Sequence, residues 1–223
     1  MTLIETLIEK AKKNPKRIAL PECEADKTLL AARRVLDEKI GYPVLVNNPE
    51  VIRETAQRTG VSLEGMEIVD TTDEAYRDEV IARYMNYPKK MLSEKGCKRK
   101  MKDPMYYGMI LEAAGDVDAT FCGHVNTTGD VLLSAQQCIG MQDGVDVPSI
   151  FALTEIPNFN GSEGNLIALA DCGLNPEPAP DDLASIAIAS CDNIRALMGW
   201  TPRCAFLSFS TCGSGTASRV DKI

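Results

Sequence analysis

RIALPECEADKTLLAARRVLDEKIGYPVLV, residues 17 to 46, carries the decision about the fold. Arg17-Ile18-Ala19-Leu20 reads as a short buried strand, and Pro21, which lacks an N–H to donate, closes it. Leu29, Leu30, Ala32, Val35 and Leu36 then recur at helical spacing, and Pro43-Val44-Leu45-Val46 is a second apolar run of strand length. A strand, a helix and a strand in succession make a crossover unit, which joins parallel strands. Upstream, Thr2 with Glu5 three residues later forms a capping box ahead of the stripe Leu3, Ile4, Leu7, Ile8 and Ala11, and Asn14-Pro15 ends that helix. Downstream the alternation continues. A helix is predicted over Pro49 to Thr59, a strand over Met66 to Val69 and a helix from Asp73. Asp103-Pro104 supplies a cap and a first-turn proline for a helix to Ala114, followed by a strand over Val117 to Phe121 and a helix over Thr127 to Ile139. The class is α/β: a three-layer αβα arrangement on a mostly parallel sheet, with residues 1–147 as its first domain.

The pattern then changes. Ser149 to Leu153 and Asn165 to Ala170 are apolar runs joined by a loop holding Pro157, Asn158, Asn160, Gly161 and Gly164, a hairpin-like antiparallel element. Pro176 to Pro180 is a proline-rich linker, and Pro180 with Asp181 and Asp182 opens a helix whose expected buried stripe is Leu183, Ile186, Ala187, Ile194 and Leu197. Arg203 to Phe209 is a further expected strand, and Ser210 to Gly215 a Ser/Gly-rich loop. A boundary near Asp146 to Pro148 leaves residues 148–223 as a second, partial αβα domain. So thin a layer leaves a sheet face uncovered. Either another chain completes it, which predicts a homodimer, or the polypeptide stops early.

Composition limits the function classes. With 24 Lys+Arg against 32 Asp+Glu the 223-residue chain has a formal charge of −8, which argues against nucleic acid or an anionic membrane as partner. Hydrophobic residues at 44% and charged residues at 25% are globular values, so wholesale disorder is excluded. The longest apolar run, Leu166 to Ala170, is far below the ~18 residues of a membrane span. Glu5 interrupts the N-terminal apolar stretch, so it does not read as a signal peptide, and a soluble, cytoplasmic protein is expected. The eight cysteines have no CxxC spacing and only His124 to assist them, so no metal site is expected and reduced, packed thiols are. Lys89 to Lys102 departs from the acidic background: six lysines and Arg99 against Glu94 alone, either a solvated helix face or an anion site.

Four elements could carry chemistry. Cys122-Gly123-His124-Val125-Asn126-Thr127-Thr128-Gly129-Asp130 runs from a strand end into a helix start, where open α/β sheets bind ligands and free N–H groups meet anions. The alternative is that Thr127 or Thr128 simply caps the helix. Ser208 to Gly215 is likewise a strand end followed by hydroxyls and glycines, without the lysine of a P-loop. Asp171 and Asn175 in Ala170 to Pro176 suit a turn closed by side-chain to backbone bonds. His124 is a conceivable general base, alone or paired with Cys122 two residues away on one strand face.

In this order these stretches resemble the phosphate acetyltransferase and phosphate butyryltransferase family. The matching segments are Ile18 to Glu22, Lys102 to Gly108, Gly123 with Asn126 to Asp130, Ala170 to Pro176 and Leu207 to Gly215. The resemblance implies two αβα domains with an active-site cleft between them, as in isocitrate and isopropylmalate dehydrogenases, and a homodimer. It implies transfer of an acetyl or short acyl group between coenzyme A and inorganic phosphate. The substrates would be acyl-CoA, phosphate and acyl phosphate, with no resident cofactor. Thr127, Thr128, Asp130, Ser210, Thr211, Gly213, Ser214 and Gly215 would bind substrate, and Lys89 and Lys90 the nucleotide phosphates. No catalytic residue is assigned. Asn126, Leu133 and Tyr87 stand where the family carries a histidine and two arginines, and family chains run further, supplying a Ser-Arg pair and an aspartate base. Those departures leave a second class open, a non-catalytic ligand-binding or assembly subunit. They predict poor turnover from the 223-residue chain alone.

Overall fold

The computed structural model describes residues 2–208, 210 and 214–221. The chain forms two compact units, Met1–Gly140 and Met141–Ile223, so the division falls ahead of the expected Asp146 to Pro148.

In the first unit, α1 (Leu3–Lys13) begins with the expected capping box. Thr2 Oγ1 accepts the Glu5 amide at 3.2 Å and Glu5 Oε2 accepts the Thr2 amide at 2.9 Å. The strands are β1 (Lys16–Leu20), β2 (Gly41–Asn47), β3 (Glu67–Asp70) and β4 (Ala119–Thr120), parallel throughout and ordered β3-β2-β1-β4. The fourth is shorter than the predicted Val117 to Phe121, because β4 pairs β1 only at Ile18↔Ala119 and Ala19↔Thr120. Successive strand residues point to opposite faces, and the core divides accordingly. Leu20 and Leu45 pack with Leu29 and Ala32 of α2 (Asp26–Asp37) and Ile52 and Ala56 of α3 (Pro49–Thr59). Ala19, Val44, Val46 and Val69 pack instead with residues of α4 (Glu74–Tyr84), α5 (Glu94–Lys100), α6 (Pro104–Ala114) and α7 (Thr128–Cys138). The chain therefore winds one way through α2 and α3, then crosses the other face and returns to β4 beside β1. The reversal lies between β1 and β4. Gly108 allows α6 to lie close to the short strand, since a Cβ there would meet Thr120 Cγ2 at 3.1 Å.

The second unit holds β5 (Phe151–Glu155) and β6 (Leu166–Ala170), antiparallel as expected with Phe151↔Ala170 in register, and α8 (Pro180–Met198). Its helix buries Ser185, Ile186, Ala189, Ser190 and Ile194. The expected stripe is corrected at its end: Leu197 is 40% exposed, whereas Ala189 and the small serines fill the inner face. Residues 203–208 form no strand and are exposed, and no described strand pairs with them; Phe209 lies outside the described residues. A short α9 (Ser218–Asp221) follows. Ile150, Phe159, Leu169, Ile188, Phe206 and Leu207 are large apolar residues left exposed in this unit. Among the described residues no helix is long and apolar enough to cross a membrane.

Candidate active site

β1 runs into Pro21 and Glu22, and β4, its neighbour, runs into the loop from Phe121 to Asn126. These are the carboxyl ends of the strands at which the winding reverses, the place where open α/β sheets hold ligands. Here a side chain of the protein itself occupies the loop. The Glu22 carboxylate, 3% exposed, accepts the backbone amides of Gly123 (3.1 Å), His124 (2.8 Å), Val125 (3.0 Å) and Asn126 (2.9 Å), and the Asn126 side-chain amide at 2.8 Å. Successive amides converge on one anion only where the chain curls, and Gly123 at φ +104° permits the curl. Burial alone would raise the pKa of this carboxyl. The donors outweigh it and hold the group down at about 2.

The loop leads directly into α7. Thr127 is its N-cap, its Oγ1 accepting the Asp130 amide at 3.2 Å and donating to Asp130 Oδ2 at 2.6 Å. The amides of Thr128 and Gly129 have no partner among the described residues, as the first turn of a helix requires. Thr127, Thr128, Gly129 and Asp130 are all exposed. Capping and unpaired first-turn amides thus coexist, with Asp130 engaged in the cap.

Lys89 and Lys90 lie in the irregular segment before α5, Lys89 half-buried with its Cβ near Gly140, and Lys90 exposed. The rest of the basic stretch is partly neutralised. Lys98 pairs with Asp78 at 3.2 Å and Glu94 at 3.4 Å. Lys100 donates to Tyr106 Oη at 2.9 Å and lies over that ring, and Tyr106 Oη donates in turn to Gln137 Oε1 at 3.2 Å, tying α5, α6 and α7 together. The solvated-face expectation fits α5, which presents Lys95, Lys98 and Arg99 to solvent while Cys97 is buried beneath.

In the second unit the Asp171 carboxylate accepts the amides of Gly173, Leu174 and Asn175 at 2.9, 3.1 and 2.9 Å, and its pKa is lowered, those donors overcoming burial. Asn175 Nδ2 also reaches Pro148 O at 2.8 Å. Turn closure explains this motif. Ser210 Oγ accepts the Gly215 amide at 2.9 Å and donates to Gly215 O at 3.2 Å, closing a small ring, with Ser214 exposed. Thr211 and Gly213, expected in the same loop, lie outside the described residues.

The Cys122 and His124 pair is not supported. β4 ends at Thr120, so the two residues share no strand face. Burial, with Glu22 nearby, pushes the Cys122 thiol up to about 11, away from the thiolate a nucleophile needs. Burial likewise raises Cys23 and Cys138 to about 12, and they pack as small apolar groups. His124 is exposed, and what reaches Glu22 is its backbone amide.

A family model described as phosphate acetyl/butaryl transferase matches residues 2–223. The chain belongs to this family. It is 36% identical over its full length to the phosphate acetyltransferase of Thermoanaerobacterium thermosaccharolyticum, covering 68% of that protein. It is also 36% identical to that of Clostridium acetobutylicum, covering 67%. Among solved structures it is similar to a phosphotransacetylase from Streptococcus pyogenes, with a TM-score of 0.85 and 26% identity over 100% of this chain and 67% of that one. A second, EutD phosphotransacetylase from Staphylococcus aureus, gives 0.81 and 26% over 99% of this chain and 66% of that one. The chain thus spans about two thirds of the length of these relatives. Relatives named phosphate acetyltransferase, a transferase, support phosphate acyltransferase activity, and the non-catalytic alternative is not favoured.

Two of the three positions that depart from the resemblance make specific local contacts in this chain. Asn126, where the resemblance implies a histidine, supplies the side-chain donor to Glu22. Tyr87, near which the resemblance implies an arginine, stacks on Tyr84 at 6.2 Å and donates to Ile139 O at 2.9 Å, fastening the end of α7. Leu133 is 47% exposed on α7 and contributes no polar group. Sequence reasoning passed over Glu22 as a functional residue. The available signal was a glutamate directly after a strand-closing proline, off any helix face, but its partners lie 101 to 104 residues away.

Proposed function

We propose that the protein transfers an acetyl or short acyl group reversibly between coenzyme A and inorganic phosphate, with acyl phosphate as the second substrate. The observation that carries this is the open helix start at Thr128 and Gly129, set at the strand-end reversal of a chain matched to the transferase family over residues 2–223. In the forward direction the coenzyme A thiolate attacks the carbonyl carbon of the acyl phosphate. The carbonyl oxygen takes up the electron pair as an oxyanion. Its collapse forms the thioester and breaks the carbon–oxygen bond to phosphate, which leaves with that pair. Thr127, Thr128 and the amides of Thr128 and Gly129 offer donors to the phosphoryl group, since a helix N-terminus concentrates partial positive charge. Lys89 and Lys90 suit the nucleotide phosphates of coenzyme A as point charges. Ser210, Thr211, Gly213, Ser214 and Gly215 belong to the same substrate set by resemblance, and Asp130 serves it through the Thr127 cap. No resident cofactor is required, because coenzyme A enters as substrate.

A cytoplasmic homodimer belongs to the same proposal. Support comes from the buried reduced thiols and from exposed apolar residues such as Ile188 at 61% and Leu207 at 81%. The test is steady-state thioester formation from acetyl phosphate and coenzyme A, with butyryl phosphate in parallel, followed beside phosphate release. Equal rates of the two products, however slow, support the proposal. Phosphate release without thioester, or neither product, overturns it.

A further inference from the structure

Glu22 is placed where a ligand would be expected, yet its own chemistry excludes two obvious roles. A carboxylate offers about four lone-pair sites, and five donor groups from Gly123 to Asn126 already converge on its two oxygens. No lone pair remains to receive a substrate proton, so Glu22 is not a general base. A phosphoryl group cannot enter the same donor set either, because it would meet a buried like charge. Those donors belong to the protein.

What the contact does accomplish follows from its position. The loop from Phe121 to Asn126 has no helix or strand of its own. Glu22 fastens it to the end of β1, whose Ala19 and Leu20 are buried on opposite faces of the sheet. The last fastened residue, Asn126, is held by both backbone and side chain and immediately precedes the N-cap Thr127. A shift of the loop therefore passes directly into the first turn of α7. With the amides of Gly123 to Asn126 taken, the amides without a partner among the described residues are those of Thr127, Thr128 and Gly129. The carboxylate fixes where the open donors sit and denies the neighbouring ones to an anion.

We propose that Glu22 is a positioning residue for acyl-phosphate binding: seated among the amides of Gly123 to Asn126, it holds the start of α7 in the geometry that receives the phosphoryl group. The proposal rests on the acyl-transfer function above and deepens it. Glu22→Gln keeps the length of the side chain but removes the charge and turns an amide donor toward other donors. Glu22→Asp keeps the charge but is one methylene too short to meet all four backbone amides. Asn126→Ala removes one donor and leaves the carboxylate in place, so it serves if the others fold poorly. Leu45→Ala, whose side chain packs among α2 and α3, is the control for a plain loss of stability.

Amide hydrogen exchange and acetyl phosphate and coenzyme A titrations, on the wild-type protein and these variants, form the experiment. In Glu22→Gln the exchange of the Gly123 to Asn126 amides accelerates at least tenfold, and the acetyl phosphate dissociation constant rises at least tenfold. Coenzyme A affinity changes less than twofold. Glu22→Asp restores part of both effects, Asn126→Ala shows smaller shifts of two- to fivefold, and Leu45→Ala leaves both ligand affinities unchanged. Unaltered exchange at Gly123 to Asn126 in Glu22→Gln overturns the proposal, as does a loosened loop with unchanged acetyl phosphate affinity. A wild-type protein that binds no acetyl phosphate overturns the acyl-transfer function and the positioning role with it. Wild-type binding matched by the variant overturns the positioning role alone.

Discussion

Acid should weaken the first unit through one carboxylate. The Glu22 pKa is held at about 2 against an ordinary 4.5. A group whose folded pKa is depressed contributes its full stability above the unfolded value and loses it as pH falls through the folded one. The window is therefore roughly pH 5 down to pH 2. At 1.36 kcal/mol for each pKa unit the difference amounts to about 3 kcal/mol. It is consistent with hydrogen bonds to a charged group at ~1.5–3 kcal/mol each, gained several times over and largely offset by the cost of burying the charge. Glu22 is 3% exposed, so solvent screening removes little of this. Among titratable neighbours, Cys122 beside it stays neutral throughout that range. The assay is urea unfolding from pH 7 to pH 2.5, followed through core amides of the first unit for wild type and Glu22→Gln. Wild type should lose stability more steeply than the variant below pH 5, and at pH 7 the variant should lie about 3 kcal/mol lower. Parallel acid limbs, or a pH 7 difference below about 1 kcal/mol, would refute the reasoning.

Leu45, fully buried among Leu20, Leu29 and Ile52, should cost about 2–5 kcal/mol when cut to alanine, read from thermal or urea unfolding. Tyr87→Phe removes the 2.9 Å bond to Ile139 O and leaves the ring stacked on Tyr84, so a loss near 1 kcal/mol is expected, seen as faster exchange at the end of α7. Coenzyme A affinity, measured by calorimetry, should fall between low salt and ~0.15 M salt, because the exposed Lys90 charge is screened over ~8–10 Å. In Lys90→Ala that salt dependence should shrink.

Where the local pattern was strong, the elements were legible. The capping box at Thr2 and the Asp103-Pro104 start of α6 both depend on residues within one or two turns. Strand residues 44 to 46 were readable because alternate faces of β2 are both buried, which demands a continuous apolar run. Arg203 to Phe209 has the same local look, but residues 203–208 remain irregular and exposed: an apolar run becomes a strand only if a neighbouring edge supplies hydrogen bonds. Leu197 fits helical spacing yet is 40% exposed near the end of α8, because spacing marks a face of the helix but not how far along it that face is covered.

The sequence by itself determined the alternation of strands and helices, the helix starts, the acidic surface with its basic stretch and the resemblance to the transferase family, since each depends on residues close in the chain or on a motif as a string. Only the tertiary structure decided the sheet order β3-β2-β1-β4, and with it the meeting of Glu22 with Gly123 to Asn126. It also decided that the Glu22 carboxylate takes the amides of Gly123 to Asn126 while those of Thr128 and Gly129 have no partner among the described residues. The physical reason is range. A cap or an apolar stripe is formed by neighbours whose geometry the backbone already dictates. A buried carboxylate finds donors 101 residues away only after the strand order has brought two strand ends together.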